Sequence, residues 1–140
     1  MTARSDLEEQ VERRARGRCE YCQMHQSLQG ATFHVEHIIP RCRSGRSELD
    51  NLAWACPSCN LHKADRITIA VTGTDQEGPL FHPRTDKWDD HFRWDGHYVV
   101  GRTVIGQATV AALLLNHERR IRIRQAEALF GLFPPSSFDA

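Results

Sequence analysis

The chain lacks any long apolar run. Its longest, Val110 to Leu115, is far short of the roughly 20 residues that a membrane-spanning helix requires. Its start is not apolar either: Met1-Thr2-Ala3-Arg4-Ser5-Asp6 leads directly into charged sequence, so no secretory leader is expected and the cytoplasm is the expected location. An excess of charge of one sign is missing as well. Eighteen Lys and Arg stand against eighteen Asp and Glu, and residues 1–66 carry ten basic and nine acidic side chains. A protein that grips phosphates by bulk charge alone is more basic than this. If nucleic acid is the partner, a local site must do the holding, with a metal ion supplying positive charge. Internal repeats and low-complexity stretches are also lacking, so a repeat architecture is not expected. At 40% hydrophobic and 26% charged residues, 140 positions suit one folded domain, or a small core plus an extension.

What the chain does have is five cysteines and eight histidines. Cys19-Glu20-Tyr21-Cys22 and Cys56-Pro57-Ser58-Cys59 are two CxxC pairs, separated by 33 residues. Two residues between thiolates let a tight turn aim both sulfurs at one ion, and two such knuckles complete a tetrahedron. Structural zinc on Cys19, Cys22, Cys56 and Cys59 is therefore expected, with no open position for chemistry. Cys42 is left over, and His25 is a substitute ligand that four cysteines make unnecessary.

Ser5-Asp6-Leu7-Glu8 has the form of a capping box, and Leu7, Val11 and Ala15 recur every four residues before Gly17. This predicts a helix over about 6–16. Thr32 to Ile39 reads as a strand, Pro40 to Asp50 as a loop, and Asn51 to Ala55 as a returning strand. Pro57 suits the first turn of a helix running towards Arg66. Turn residues cluster at 72–75 and 77–79, which marks a linker or long loop. Asp95-Gly96 between Phe92-Arg93-Trp94 and His97-Tyr98-Val99 predicts a hairpin. One final helix is expected over Ala108 to Leu129, with Val110, Leu114, Ile121 and Ala128 near one face and Arg119, Arg120, Arg122 and Arg124 on a solvated surface. Phe33 and Trp54 read as core residues.

Between the knuckles lie groups that a bare zinc ribbon does not need: His34-Val35-Glu36-His37, then Asn51, then Asn60 and Lys63 three apart on one helix face. Together with the two CxxC pairs, Val35-Glu36-His37-Ile38-Ile39-Pro40, Asn51-Leu52 and Cys56-Pro-Ser-Cys59-Asn60-Leu-His-Lys63 resemble the HNH endonucleases over roughly residues 4–68. The resemblance implies an α+β fold: a zinc-stapled ββα-metal core preceded by a helix, with a C-terminal hairpin and helix extension. Residues 1–70 would form the nuclease core and 71–140 the extension, packed on it as one domain. It also implies a division of labour. His37 is the general base, Glu36 and Asn60 hold one divalent ion, and Asn51 fixes the loop and orients His37. The products are 5′-phosphate and 3′-hydroxyl ends.

Two departures from the family pattern stand out. Glu36 occupies a position more often Asp, and Asn60 one that is His in the namesake motif. Oxygen donors of this kind favour magnesium or manganese. Neighbours in a strand face opposite ways, so Glu36 and His37 can share a site only where the strand twists or ends. His34 is either an additional metal contact or a surface histidine. Lys63 is a phosphate contact or a helix cap, and Arg41, Arg43 and Arg46 suit the backbone of a duplex or are simply solvated. The leading expectation is cleavage of double-stranded DNA, without any membrane partner. The alternatives are a non-catalytic zinc-ribbon module that binds nucleic acid, and a ribonuclease built on the same core.

Overall fold

The computed structural model describes residues 5–135. Helix α1, Asp6–Ala15, starts where Ser5 accepts a 3.2 Å hydrogen bond from the Glu8 amide. It ends as Arg16 and Gly17 turn left-handed, with φ of 56° and 74°. Its buried Val11 and Ala15 pack on the core, while Arg14 donates to the carbonyls of Leu49 and Leu52. The first knuckle follows. Strand β1, His34–His37, pairs antiparallel with β2, Leu52–Ala55, with His37 opposite Leu52 at the strand's end. The connection between them contains two short helical turns, Arg41–Arg43 and Leu49–Asn51. Helix α2, Pro57–Lys63, is capped by the Cys56 sulfur and starts at the proline. The expected strand, loop, strand, helix order is thus present, with shorter strands than the composition suggested and a helix that stops at Lys63.

The second half departs more from expectation. Where turn residues suggested a linker, Thr68–Ala70 (β3) and Glu77–Pro79 (β4) form a small antiparallel pair. A single turn of helix, Trp88–His91 (α3), precedes the hairpin of β5, Phe92–Asp95, and β6, Tyr98–Gly101. Its loop residues are Gly96 and His97, one position later than predicted, because Asp95 still pairs with Tyr98. The one long helix is in fact two, α4 (Val104–Ala112) and α5 (Glu118–Leu129). Leu114 breaks the run with φ of 50°. The Asn116 side chain then holds the bend, accepting from the Val99 amide and donating to its carbonyl at 2.8 Å each. Helical periodicity continued through this point in the sequence; a tertiary contact overrode it.

An aromatic cluster fills the second half, with Phe81 on Phe92, Trp88 on both Phe92 and Trp94, and Trp94 on Phe133, at centroid separations of 4.9–5.2 Å. Contacts join it to the first: Trp88 Nε1 donates to the Tyr21 carbonyl at 3.0 Å, Arg84 is ion-paired with Glu20, and Arg18 reaches the Leu132 carbonyl. Among the described residues no helix is long and apolar enough to cross a membrane. Replacing Asn116 with Ala should lower stability by about 1–3 kcal/mol, the worth of two partly buried hydrogen bonds, measured by urea unfolding with zinc content unchanged.

Candidate active site

Two turns deliver the four knuckle cysteines to one place. In the first, Cys19 N donates to the Met24 carbonyl and Gln23 N to the Cys19 carbonyl, closing the loop around Tyr21. In the second, the α2 start places Cys56 and Cys59 one helical turn apart, with Cys59 N donating to the Cys56 sulfur at 3.4 Å. All four thiols are buried and unpaired by disulfides, and their sulfurs lie within 4.8 Å of one another. Cys22 and Cys56 are 3.8 Å apart. Thiolates at about 2.3 Å from a tetrahedral ion sit about 3.8 Å from each other, so the donor set and spacing fit zinc. Among the described residues this is the one cluster of three or more His, Cys, Asp or Glu donors close enough to share an ion. His25 is outside it: its ring caps the turn at Gln26–Leu28 and its amide donates to Glu127.

β1 ends at His37, and there the carboxylate and the imidazole part company. Glu36 points inward and is 5% exposed. Its Oε2 accepts a 2.7 Å hydrogen bond from the Tyr21 hydroxyl, and its Oε1 lies 2.5 Å from Lys63 Nζ. Burial pushes the Glu36 carboxyl above its ordinary value, against the opposing pull of the Lys63 ammonium and the hydrogen bonds from Lys63 and Tyr21. Tyr21 is fully buried, and burial together with the Glu36 charge holds its hydroxyl protonated well above the usual range, so it remains a donor.

His37 faces the other way, half-buried, with Nε2 2.8 Å from the Ser47 hydroxyl. Arg41 Nε donates towards the same nitrogen at 3.4 Å. Partial burial, then the nearby Arg41 and Lys63 charges, lower the imidazole's pKa below its ordinary 6.5. A neutral ring at neutral pH can accept a proton, as a base must.

Asn51 is the loop's fastener. Its Oδ1 accepts from the Ile39 amide at 2.8 Å, and its Nδ2 donates to the carbonyls of Ile39 and Arg46. It makes no bond to His37; Ser47 holds the ring instead, so Asn51 bears on His37 only through the loop's path. The closure is tight, since a Cβ on Gly45 would lie 1.6 Å from the Ile39 carbonyl oxygen. That position admits glycine alone.

The remaining expected residues divide clearly. Asn60 is half-buried on α2 and its side-chain amide makes no hydrogen bond among the described residues. Lys63, one turn further along the same helix face, is 1% exposed, which corrects its expected role as a phosphate contact or cap. It donates to Glu36 and, at 3.4 Å, to the His37 carbonyl, fixing α2 against β1. His34 is exposed at the start of β1 and shares no donor cluster with Glu36. Arg41 and Arg43 are exposed on the loop, with Arg43 donating to the Asp65 carbonyl. Phe33 and Trp54 are buried, with ring centroids 6.3 Å apart, as core residues.

The family model described as HNH endonuclease matches residues 19–66, the segment from the first knuckle cysteine to just past α2. Residues 19–66 are thus similar to the HNH endonucleases. No curated protein and no solved structure matches the chain. The HNH segment contains both knuckles, the β1–β2 pair, the Asn51-fastened loop and α2. Its partners from outside were not legible in sequence. Arg120 of α5, expected on a solvated surface, is buried and donates to the Cys59 sulfur at 3.2 Å, and Arg124 is completely buried. Tyr21, lodged between two cysteines, gave no sign of reaching Glu36; its only signal was its place inside the knuckle.

Cys56→Ser removes one sulfur and the α2 cap together. Metal analysis should find zinc lost and circular dichroism most of the folded signal gone, because metal-binding energy is folding energy in so small a core. A full zinc complement in that variant would refute a four-thiolate site. Gly45→Ala should disrupt the loop while leaving the zinc in place, seen as changed amide resonances confined to the segment around Ile39–Asn51.

Proposed function

We propose that the protein is a metal-dependent endonuclease that hydrolyses DNA phosphodiester bonds to 5′-phosphate and 3′-hydroxyl ends. The observation that carries this reading is a half-buried imidazole, His37, at the end of a strand whose neighbouring residue is a buried carboxylate, inside a segment that matches a nuclease family. Oxygen donors for a divalent ion are at hand. A carboxylate oxygen has more than one lone pair, so Glu36 can ligate while still accepting from Tyr21, and the Asn60 amide has no competing partner. Hard donors of this type suit magnesium or manganese.

Held by Glu36 and Asn60, such an ion would supply charge stabilisation at the phosphate and at the departing 3′ oxygen. The chain's own residues would do the rest. His37 takes the proton from the attacking water. Ser47 and Arg41 fix the imidazole edge, and Asn51 with Gly45 fixes the loop that bears them. Exposed Arg41 and Arg43, on the same loop, would meet the phosphates of a double-stranded substrate.

One observation favours the second reading, a zinc-braced nucleic-acid-binding module without catalysis. Both Glu36 oxygens are satisfied by Tyr21 and Lys63 with no ion required. Digestion of supercoiled plasmid separates the two readings. The zinc-loaded protein should nick or cut it when magnesium or manganese is added and leave it intact without them. Binding with no cleavage across the metal series would establish the module, and cleavage of RNA alone would reassign the substrate.

His37→Ala should reduce cleavage by about 10²–10⁴-fold, the usual worth of a general base, with unchanged fold and zinc content. A base must be unprotonated to act, and this imidazole's pKa is lowered. Cleavage rate should therefore be level above pH 7 and fall only as pH drops through a value below 6.5; a decline centred above 7 would overturn the assignment.

A further inference from the structure

The buried face of α5 is charged where a helix packed on a core is normally apolar. Arg120, Arg124 and Glu127 lie on it beside Ile121, all less than a tenth exposed. Burying charges is costly unless opposite charge is close by. Among the described residues the buried Arg, Lys, Asp and Glu side chains are Arg18, Lys63, Arg120 and Arg124 against Glu36 and Glu127. Lys63 is matched by Glu36, and Glu127 is shared between Arg18 and Arg124. Four cations against two carboxylates leave a surplus of two positive charges, and Arg120 has no carboxylate partner among these groups.

The one remaining source of negative charge is the cysteine cluster. Arg120 Nη1 donates to Cys59 Sγ at 3.2 Å, while its Nη2 is buried without a hydrogen-bond partner. Arg124 donates to the carbonyls of His97 and Leu115 and stacks on Trp94 at 5.4 Å, bonds that orient a guanidinium but do not neutralise it. Four thiols or two disulfides would leave that surplus unopposed. A zinc ion with four thiolates carries a net charge of minus two, which equals the surplus.

We propose that α5 is the outer half of the zinc centre. Arg120 is a positioning residue that holds the Cys59 thiolate through an N–H to sulfur bond, and Arg120 and Arg124 together balance the charged metal site, so that the ion is retained only while α5 is docked. The HNH segment ends at Arg66, yet on this account its zinc depends on a helix more than fifty residues further along the chain. The proposal is independent of whether the protein cleaves DNA.

The test is the rate at which the zinc-loaded full chain gives up its ion to excess 4-(2-pyridylazo)resorcinol, read by absorbance, for the parent, R120Q, R120K and R119Q. Arg119 is exposed on the same helix and controls for loss of a surface charge. R120Q should release zinc about tenfold or more faster, the usual consequence of removing a ligand's hydrogen-bond partner, with R120K between it and the parent and R119Q at the parental rate. Release from R120Q within twofold of the parent, or equal acceleration in R119Q, would overturn the proposal. Should R120Q not fold, cobalt(II)-substituted R120K decides. Its thiolate-to-cobalt charge-transfer band should shift from the parent's when the Arg120 bond to sulfur is lost, and an unshifted band would overturn the assignment.

Discussion

Convergence of four sulfurs is the constraint on which everything else in this molecule depends. Cys19 and Cys22 close one turn, and Cys56 and Cys59 open a helix. Holding these two ends within 4.8 Å forces the chain between them to leave and return as an antiparallel pair. Four-residue strands in a two-stranded sheet are marginal by themselves. Here their register is imposed from outside, by metal-ligand geometry at one end and the Asn51 bonds at the other.

The zinc centre and the catalytic candidates are linked through a side chain. Tyr21 occupies the interior of the first knuckle, and its hydroxyl reaches the Glu36 carboxylate; Trp88 in turn holds the Tyr21 carbonyl from the second half of the chain. A residue whose backbone is set by the zinc turn therefore sets the orientation of the carboxylate. A hydrogen bond of this type fixes the direction in which a carboxylate presents its free lone pairs. The two halves of the molecule share one apolar core and are also joined by polar contacts, Arg84 on Glu20, Arg18 on Leu132 and Arg120 on Cys59.

Much of the first half was legible in sequence because its signals are local. A capping serine with glutamate three residues on, a CxxC turn and a proline at a helix start each act within four residues. Partners that lie far apart in the chain gave no such signal. Lys63 looked like a surface cation because nothing in its neighbourhood announces Glu36, 27 positions earlier. Arg120 and Arg124 sat in an arginine run that reads as solvated; their partners inside, the Cys59 sulfur for one and the His97 and Leu115 carbonyls for the other, lie on distant elements or past the bend. Helical periodicity ran straight through 113–117, where a single asparagine bound to Val99 bends the chain.

The Lys63–Glu36 pair separates the two metals in kind. An ammonium inside the protein already answers the carboxylate's charge, so the polypeptide can reach and keep its native shape with no magnesium or manganese in solution. Zinc on the four cysteines would be a building material, chosen once at assembly. On the proposed reading, the second cation would have to win its place against a resident amine, and would be a visiting reagent whose occupancy follows its concentration.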